Sequence, residues 1–481
     1  MMVEYLAAWL LPVILGAAVC RLADGAHWRG RIAADIGGGW LAGLVLAAIA
    51  CAIGARADVP HALARVLPWL GALAVLAWVA AVVRAHRMPR VRPTAIAFPS
   101  SRGLHLLWWL LAAAIVLRLL LLADEASLRP VFPWDAWSAW AIKPKTWMLL
   151  GHAEPYVSMA DWLAQPHAPL RTAAAWNYPE LLAWIEIWFA SGAGGWDESL
   201  VNLAWCGALA AFALALYGHA RRFGLHPCAA MGFCYALVSL PLVDAHVALA
   251  GYADLWIGVA AGMASLAWAR WLVLRERAQW LLALGWALCL PAIKLEGSLW
   301  LLAFAFVMLL ERLPRTGRRT VAAAVVIAIL GLLLSGGIPL PVFGLGVVRV
   351  GWNAVAIPGF GSFDLAWHDV GGSVVASLFQ LPNWHLLWYV FPLLLALRWR
   401  AWRGDAPTRM FGLLVLLQWL LLFFLFFLTA AAAWAADFTS ANRLILQIVP
   451  TAFVFAILLV RRVPAQRGER LVAVPAPGRR G

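Results

Sequence analysis

The sequence predicts an all-α polytopic membrane protein with about 13 transmembrane helices and a large first outer loop carrying interfacial helices. Three observations support this class. Hydrophobic residues make up 64% of the 481 and charged ones only 12%, with a mean hydropathy of +0.83, whereas soluble globular chains are about 25% charged. Apolar runs long enough to cross a hydrocarbon core of about 30 Å, which takes about 20 helical residues, recur from end to end. The arginines gather in the short segments between alternate runs.

Taken in order, the expected spans are 4–20, 36–54, 66–83, 104–123, 199–219, 225–243, 249–269, 278–293, 297–310, 320–339, 384–397, 411–433 and 443–460. The opening Met-Met-Val-Glu lacks the positive segment of a cleavable signal peptide, so the first helix is expected to stay. The runs 278–293 and 297–310 are short and also fit a broken hairpin with its tip in the membrane. The charge register favours two crossings.

Short cytoplasmic loops collect Lys and Arg. If the Arg84–Arg102 segment is cytoplasmic, strict alternation puts 21–35, 220–224, 270–277, 311–319, 398–410 and the tail from Arg461 on the same side. These seven segments hold 27 of the 37 basic residues and six of the 23 acidic ones, a face of +21, while the rest of the chain is −7. The C-terminus is then cytoplasmic. The net charge of +14 thus reports topology, and dispersed arginines call for no nucleic-acid partner. Counting 178–191 as a further span would invert every later loop, so that run, with Glu180 and Glu186 among its tryptophans, reads as an interfacial helix at the outer surface. The six cysteines lie in or at the ends of spans with no metal-knuckle spacing, so neither disulfides nor a metal site is expected.

Three regions follow. Residues 1–103 supply additional N-terminal helices, 104–461 form the main module, and 462–481, rich in Pro, Gly and Arg, read as a disordered tail. Two outer loops stand out, at 124–198 and 340–383, and long loops of this kind are usually functional. The first holds nine tryptophans, with a helix expected over 135–150 and a second begun by Pro179. The second is Gly-rich and reads as more mobile.

Polar groups recur where spans meet the outer side: Trp134-Asp135-Ala136-Trp137, Lys143-Pro144-Lys145, Asn177-Tyr178-Pro179-Glu180, Asp244, His246, Tyr252-Ala253-Asp254, Lys294-Leu295-Glu296-Gly297 and Asp437 through Asn442-Arg443. A bundle can gather them around one cavity. Joining a lipid-phosphate-linked group to an acceptor needs a carboxylate for the acceptor's proton, cations for the phosphate and an amphipathic groove. Asp135, Asp254 or Glu296 would be the base, Arg443, Lys294, Lys143 and Lys145 would hold phosphate, and Trp134, Trp137, Tyr178, Glu180, Asp437 and Asn442 would contact sugar. Each has a plainer reading: Asp135 as a helix N-cap, the tryptophans as an interfacial belt, Lys294 and Arg443 as snorkelling anchors, Glu296 as a simple partner of Lys294. Arg118 sits inside a predicted span and needs a partner.

These motifs resemble the C-type integral-membrane glycosyltransferases, in the branch of protein mannosyltransferases and aminoarabinose transferases, over roughly 104–461. The resemblance implies a bacterial inner-membrane enzyme, with its active site facing the periplasm, that moves sugar from a polyprenyl-phosphate donor to a glycan, lipid or protein acceptor. It implies Asp135 as base and Lys294 and Arg443 as donor-phosphate contacts, with no resident cofactor. The chain departs from the pattern in its three extra leading spans and in a single Asp where many relatives carry an adjacent acidic pair, which leaves metal dependence open. A transporter or flippase, with polar residues on broken midplane helices, and a lipid-linked glycan ligase or polymerase driven by arginine are the rival readings.

Overall fold

The computed structural model describes residues 2–24, 30–87, 101–335, 337–342, 346–357 and 361–461. The expected tail at 462–481 lies outside them, as does most of the Arg84–Arg102 segment. The chain is a multi-pass bundle of apolar helices. It opens with α1 (Met2–Asp24), α2 (Arg31–Gly54) and α3 (Ala62–Arg87), then α4 (Arg102–Leu128). The first long loop holds a π-helical turn (Ala136–Trp140), α5 (Ile142–Leu150), α6 (Met159–Ala164) and α7 (Leu181–Gly192). There follow α8 (Glu198–Arg222), α9 (Pro227–Val238), α10 (Pro241–Ala248), α11 (Asp254–Leu274), α12 (Arg277–Ile293), α13 (Gly297–Arg312) and α14 (Arg315–Ser335). After four strands come α15 (Gly371–Val375), α16 (Leu387–Leu397), α17 (Trp399–Gly404), α18 (Ala406–Leu428), α19 (Ala432–Ala436) and α20 (Ala441–Val460).

Among the described residues eight helices are long and apolar enough to cross a membrane: α1, α2, α3, α4, α8, α11, α18 and α20. The expected run 225–243 is instead two helices, α9 and α10, bent by 60° at a break, and together they make a ninth candidate. The break falls where Pro241, which has no N–H to continue a helix, opens α10 instead. The other expected crossings fall on α12, α13 and α16, which at 17, 16 and 11 residues are short, and on α14, part of whose side-chain surface lies outside the described residues. By length and composition the described residues thus give eight spans, or nine if the bent pair counts as one.

Glycine decides how closely the leading helices approach. A Cβ on Gly43 of α2 would lie 1.9 Å from the Pro12 carbonyl oxygen of α1, and one on Gly37 would lie 2.1 Å from the Ala211 oxygen of α8. Small residues on two faces thus let α2 pack backbone to backbone with both neighbours, the packing mode of helices in lipid. The three leading helices are joined to the main module by this contact and by Trp188, whose indole N–H donates to the Ala8 oxygen at 2.9 Å.

One expectation about the long loops is corrected. The run 178–191 is not an interfacial helix: α7 is buried on every side from Leu182 to Gly192, wedged between α1, α2, α5 and α8. Its Glu186 lies in the protein interior rather than at a water face. The second loop contains an antiparallel meander, β1 (Gly337–Val342), β2 (Gly346–Gly351), β3 (Ala354–Ile357) and β4 (Gly361–Asp364), in that spatial order.

The arginine-bearing helix ends do gather at one end of the bundle. There Arg270 meets Asp24 at 2.8 Å and also pairs with Glu276, Gln279 donates to Asp24 at 2.5 Å, and Arg222 reaches Glu276 at 2.5 Å. Arg461 pairs with Asp405 at 2.5 Å, and Arg275 with Glu311 at 2.5 Å.

Candidate active site

At the opposite end a cavity of about 230 Å³ is lined by Asp135, Trp140, Tyr178, Lys294, Glu296, Trp434, Ser440, Arg443 and Leu444. Three separate stretches supply its charges, and each is placed by a local feature. Asp135 precedes the π-helical turn, a deviation that often marks functional sites. Its carboxylate makes no capping bond to that turn and reaches Arg443 Nη1 at 2.5 Å, so the N-cap reading fails. Lys294 and Glu296 sit in the three-residue break between α12 and α13. The break is tight because Gly297 starts α13 against the end of α12, where a Cβ would lie 2.1 Å from the Leu290 oxygen.

Arg443 lies in the first turn of α20. Its Nε donates to Asp254 Oδ2 at 2.9 Å, its Nη2 lies 2.8 Å from the same atom, and its Cζ stands 4.2 Å from the centroid of the Tyr252 ring. Asp254 is fully buried, and its other oxygen accepts from Lys294 Nζ at 3.0 Å and Gln447 Nε2 at 2.6 Å. Gln447 is in turn fixed by the Trp300 indole at 2.6 Å. Lys294 also reaches Glu296 Oε1 at 3.2 Å, while Glu296 Oε2 is buried with no hydrogen-bond partner among the described residues.

This geometry sorts the expected site residues. Asp135, Glu296, Lys294, Arg443 and Tyr178 line one cavity. Asp254 does not: both of its oxygens are taken, so it positions the two cations instead of facing a substrate as a base. Lys143 is buried, and its ammonium donates to the Trp176 and Tyr178 oxygens at 2.9 and 2.6 Å. It clamps the loop that carries Tyr178 and is outside the cavity lining. Burial holds its ammonium below the ordinary lysine value. Lys145 forms a pair with Glu198 at 2.8 Å, and Glu180 pairs with Arg56 at 2.6 Å, both away from the lining. Trp134 and Trp137 are exposed and meet edge to face at 4.7 Å. Asp437 is exposed and accepts from Thr439 N and Oγ1 at 3.0 and 2.6 Å. Asn442 is buried beside Arg443 in sequence but also outside the lining. The partner sought for Arg118 is Asp244 of α10.

Trp140, Trp434, Gln447 and Tyr252 were not among the expected site residues. Gln447 had a signal: it follows Arg443 by four positions in an otherwise apolar helix, the spacing that puts two side chains on one face. Gly251 also belongs here, with φ of +111° and a Cβ position 2.5 Å from that of Ala136. Only a residue without a Cβ allows the Tyr252–Asp254 turn to rest against the turn that follows Asp135.

The chemistry available is that of two carboxylates and two cations around a space for a small polar group, with rings on its walls. Searches against family profiles, curated proteins and solved structures found no match to this chain.

Proposed function

We propose that the chain is a membrane glycosyltransferase that takes sugar from a polyprenyl-phosphate donor at this cavity. The observation that carries the reading is the convergence of Asp135 and Glu296 with Lys294 and Arg443 on one cavity at the end of the bundle remote from the arginine-rich loops. In the reaction a carboxylate accepts the proton of an acceptor hydroxyl, and the freed oxygen bonds to the anomeric carbon. The bond from that carbon to the phosphate oxygen breaks, and its electron pair leaves on the phosphate, held by Lys294 and Arg443.

Asp135 is the preferred base. It is the more accessible of the two cavity carboxylates, with 42% of its side chain exposed against 23% for Glu296. It also holds Nη1 of Arg443, so donor phosphate arriving there displaces the carboxylate and frees it for the acceptor. Trp140 and Tyr178, whose rings lie 4.7 Å apart, give the sugar an aromatic wall. The arginine-rich end then faces the cytoplasm and the cavity faces the periplasm of a bacterial inner membrane.

The test is sugar release or transfer from a panel of polyprenyl-phosphate sugars by the protein in lipid nanodiscs. Turnover with at least one donor is expected, and its absence across the panel would sink the proposal. A transporter is the second reading, favoured by the bent α9 and α10 pair, since broken spans frame the sites of many transporters. Cysteines introduced at 135, 296 and 443 would then label from both sides of the membrane, whereas the enzyme labels from one.

A further inference from the structure

A groove of about 470 Å³ opens at the arginine-rich end, between α17 and the first turns of α18, with Trp399, Trp402, Arg403 and Arg409 at its rim and Gly412 and Leu416 along its floor. We infer that it binds one anionic glycerophospholipid, with the phosphate on Arg403 and Arg409 and an acyl chain running along α18.

The arrangement is graded as such a lipid is. Arg409, Gly412 and Leu416 follow at i, i+3 and i+7 and so share one face of α18. Charge at the first turn gives way to an exposed leucine about 10 Å deeper into the span. Gly412 seats one wall of the groove: a Cβ there would lie 2.5 Å from Trp402 Nε1, so the indole packs against α18 only because the side chain is absent. Trp399 and Trp402, whose rings lie 4.8 Å apart, are of the residue type that favours the headgroup region.

The two arginines have charge to give. Neither makes an ion pair among the described residues. The acid beside them in sequence, Asp405, is used by Arg461 at 2.5 Å and by the Thr408 amide at 3.0 Å. Arg409 donates to the Arg403 carbonyl, and Arg403 stands 5.5 Å from the Trp399 ring centroid, contacts that steady both guanidiniums without neutralising them. The chain's own C-terminal segment is a poor occupant, since 462–481 carries five arginines and one glutamate and is like-charged. A soluble anion leaves the apolar floor unused. Basic pockets beside spans on the cytoplasmic side are a recurrent mode of anionic headgroup recognition.

The test is native mass spectrometry of the full-length protein in detergent, titrated with phosphatidylglycerol, with phosphatidylcholine of the same chains, and with inorganic phosphate. Wild type is expected to retain phosphatidylglycerol preferentially. The double variant Arg403→Ala/Arg409→Ala should weaken it roughly 10- to 30-fold, the effect of two interfacial arginines, while phosphatidylcholine adducts and the unfolding temperature stay unchanged. Gly412→Leu, which keeps both arginines and displaces Trp402 from the groove wall, should weaken it too. Phosphatidylglycerol binding that survives the double variant would overturn the proposal. Inorganic phosphate competing as well as the lipid would also overturn it, in favour of a free-anion site.

Discussion

The bundle holds two charge clusters, one at each end, and they do opposite things with their charges. At the arginine-rich end, Asp24 and Arg270 are 3% and 2% exposed, and the adjoining space is only about 30 Å³, room for little more than a water. Arg270 binds two carboxylates there, and Gln279 binds Asp24 as well. At the other end Asp254 is held just as tightly, but Asp135 and Glu296 face a cavity several times larger. A charge among apolar helices is therefore no sign of function by itself. What separates the two clusters is a space, beside the charges, that a substrate can enter.

That contrast can be broken first at its structural end. Arg270→Ala leaves Asp24 and Glu276 without their shared cation in a closed interior. It should destabilise the protein by about 3–5 kcal/mol, the usual result of removing one partner of a buried pair, in denaturant unfolding in detergent. Turnover per folded molecule should not change. Arg443→Ala touches both properties, because Arg443 lines the cavity and also neutralises Asp254. Transfer should fall about 10²–10³-fold, as when one transition-state donor is removed, and the unfolding midpoint should fall as well. A variant that lost only stability would move Arg443 into the structural class.

Gly251→Ala sharpens the comparison on a smaller scale. It forces a side chain into the left-handed region and against Ala136, a strain of about 1–3 kcal/mol, and the displaced Asp135 turn should lower kcat with little effect at the arginine-rich end. Smallest is a pH effect on the first long loop. The Arg171 hydrogen bond to Glu154, 2.6 Å long, holds that carboxyl below the ordinary glutamate value. A carboxyl depressed in the folded state stabilises it above the unfolded pKa and loses that contribution as pH falls through the folded one. Hydrogen exchange at Val157 and Arg171, whose amides donate to Arg171 and Pro155 oxygens at 2.9 and 3.0 Å, should therefore quicken below about pH 4.5, and Arg171→Ala should abolish the change.

Much of this architecture was legible in the sequence because lipid imposes simple rules. Runs such as 443–460 and 36–54 lie inside α20 and α2 to within a few residues at most edges, since hydropathy and helix length are coupled by membrane thickness. The arginine count anticipated which helix ends lie together. Tertiary context decided the rest. α7 reads as interfacial because its own composition mixes acids with tryptophans, and only the packing of α1, α2 and α8 around it makes it interior. The meander at 337–364 lies in a Gly-rich stretch whose short strands carry weak pattern. Within the site, Asp135, Lys294, Glu296 and Arg443 were legible as polar breaks in an apolar chain. Lys143 read the same way, because sequence does not show whether a cation meets a cavity or a backbone carbonyl.

The most direct measurement compares Asp135→Asn with Asp24→Asn, each assayed in nanodiscs for transfer from polyprenyl-phosphate sugars and in detergent for unfolding. The account predicts that Asp135→Asn loses about 10²–10⁴-fold in transfer, the range for a general base, with its unfolding unchanged. It predicts that Asp24→Asn unfolds more readily and transfers normally per folded molecule. Full transfer by Asp135→Asn, or a loss by Asp24→Asn that its stability does not explain, would contradict the assignment of function to the one end and structure to the other.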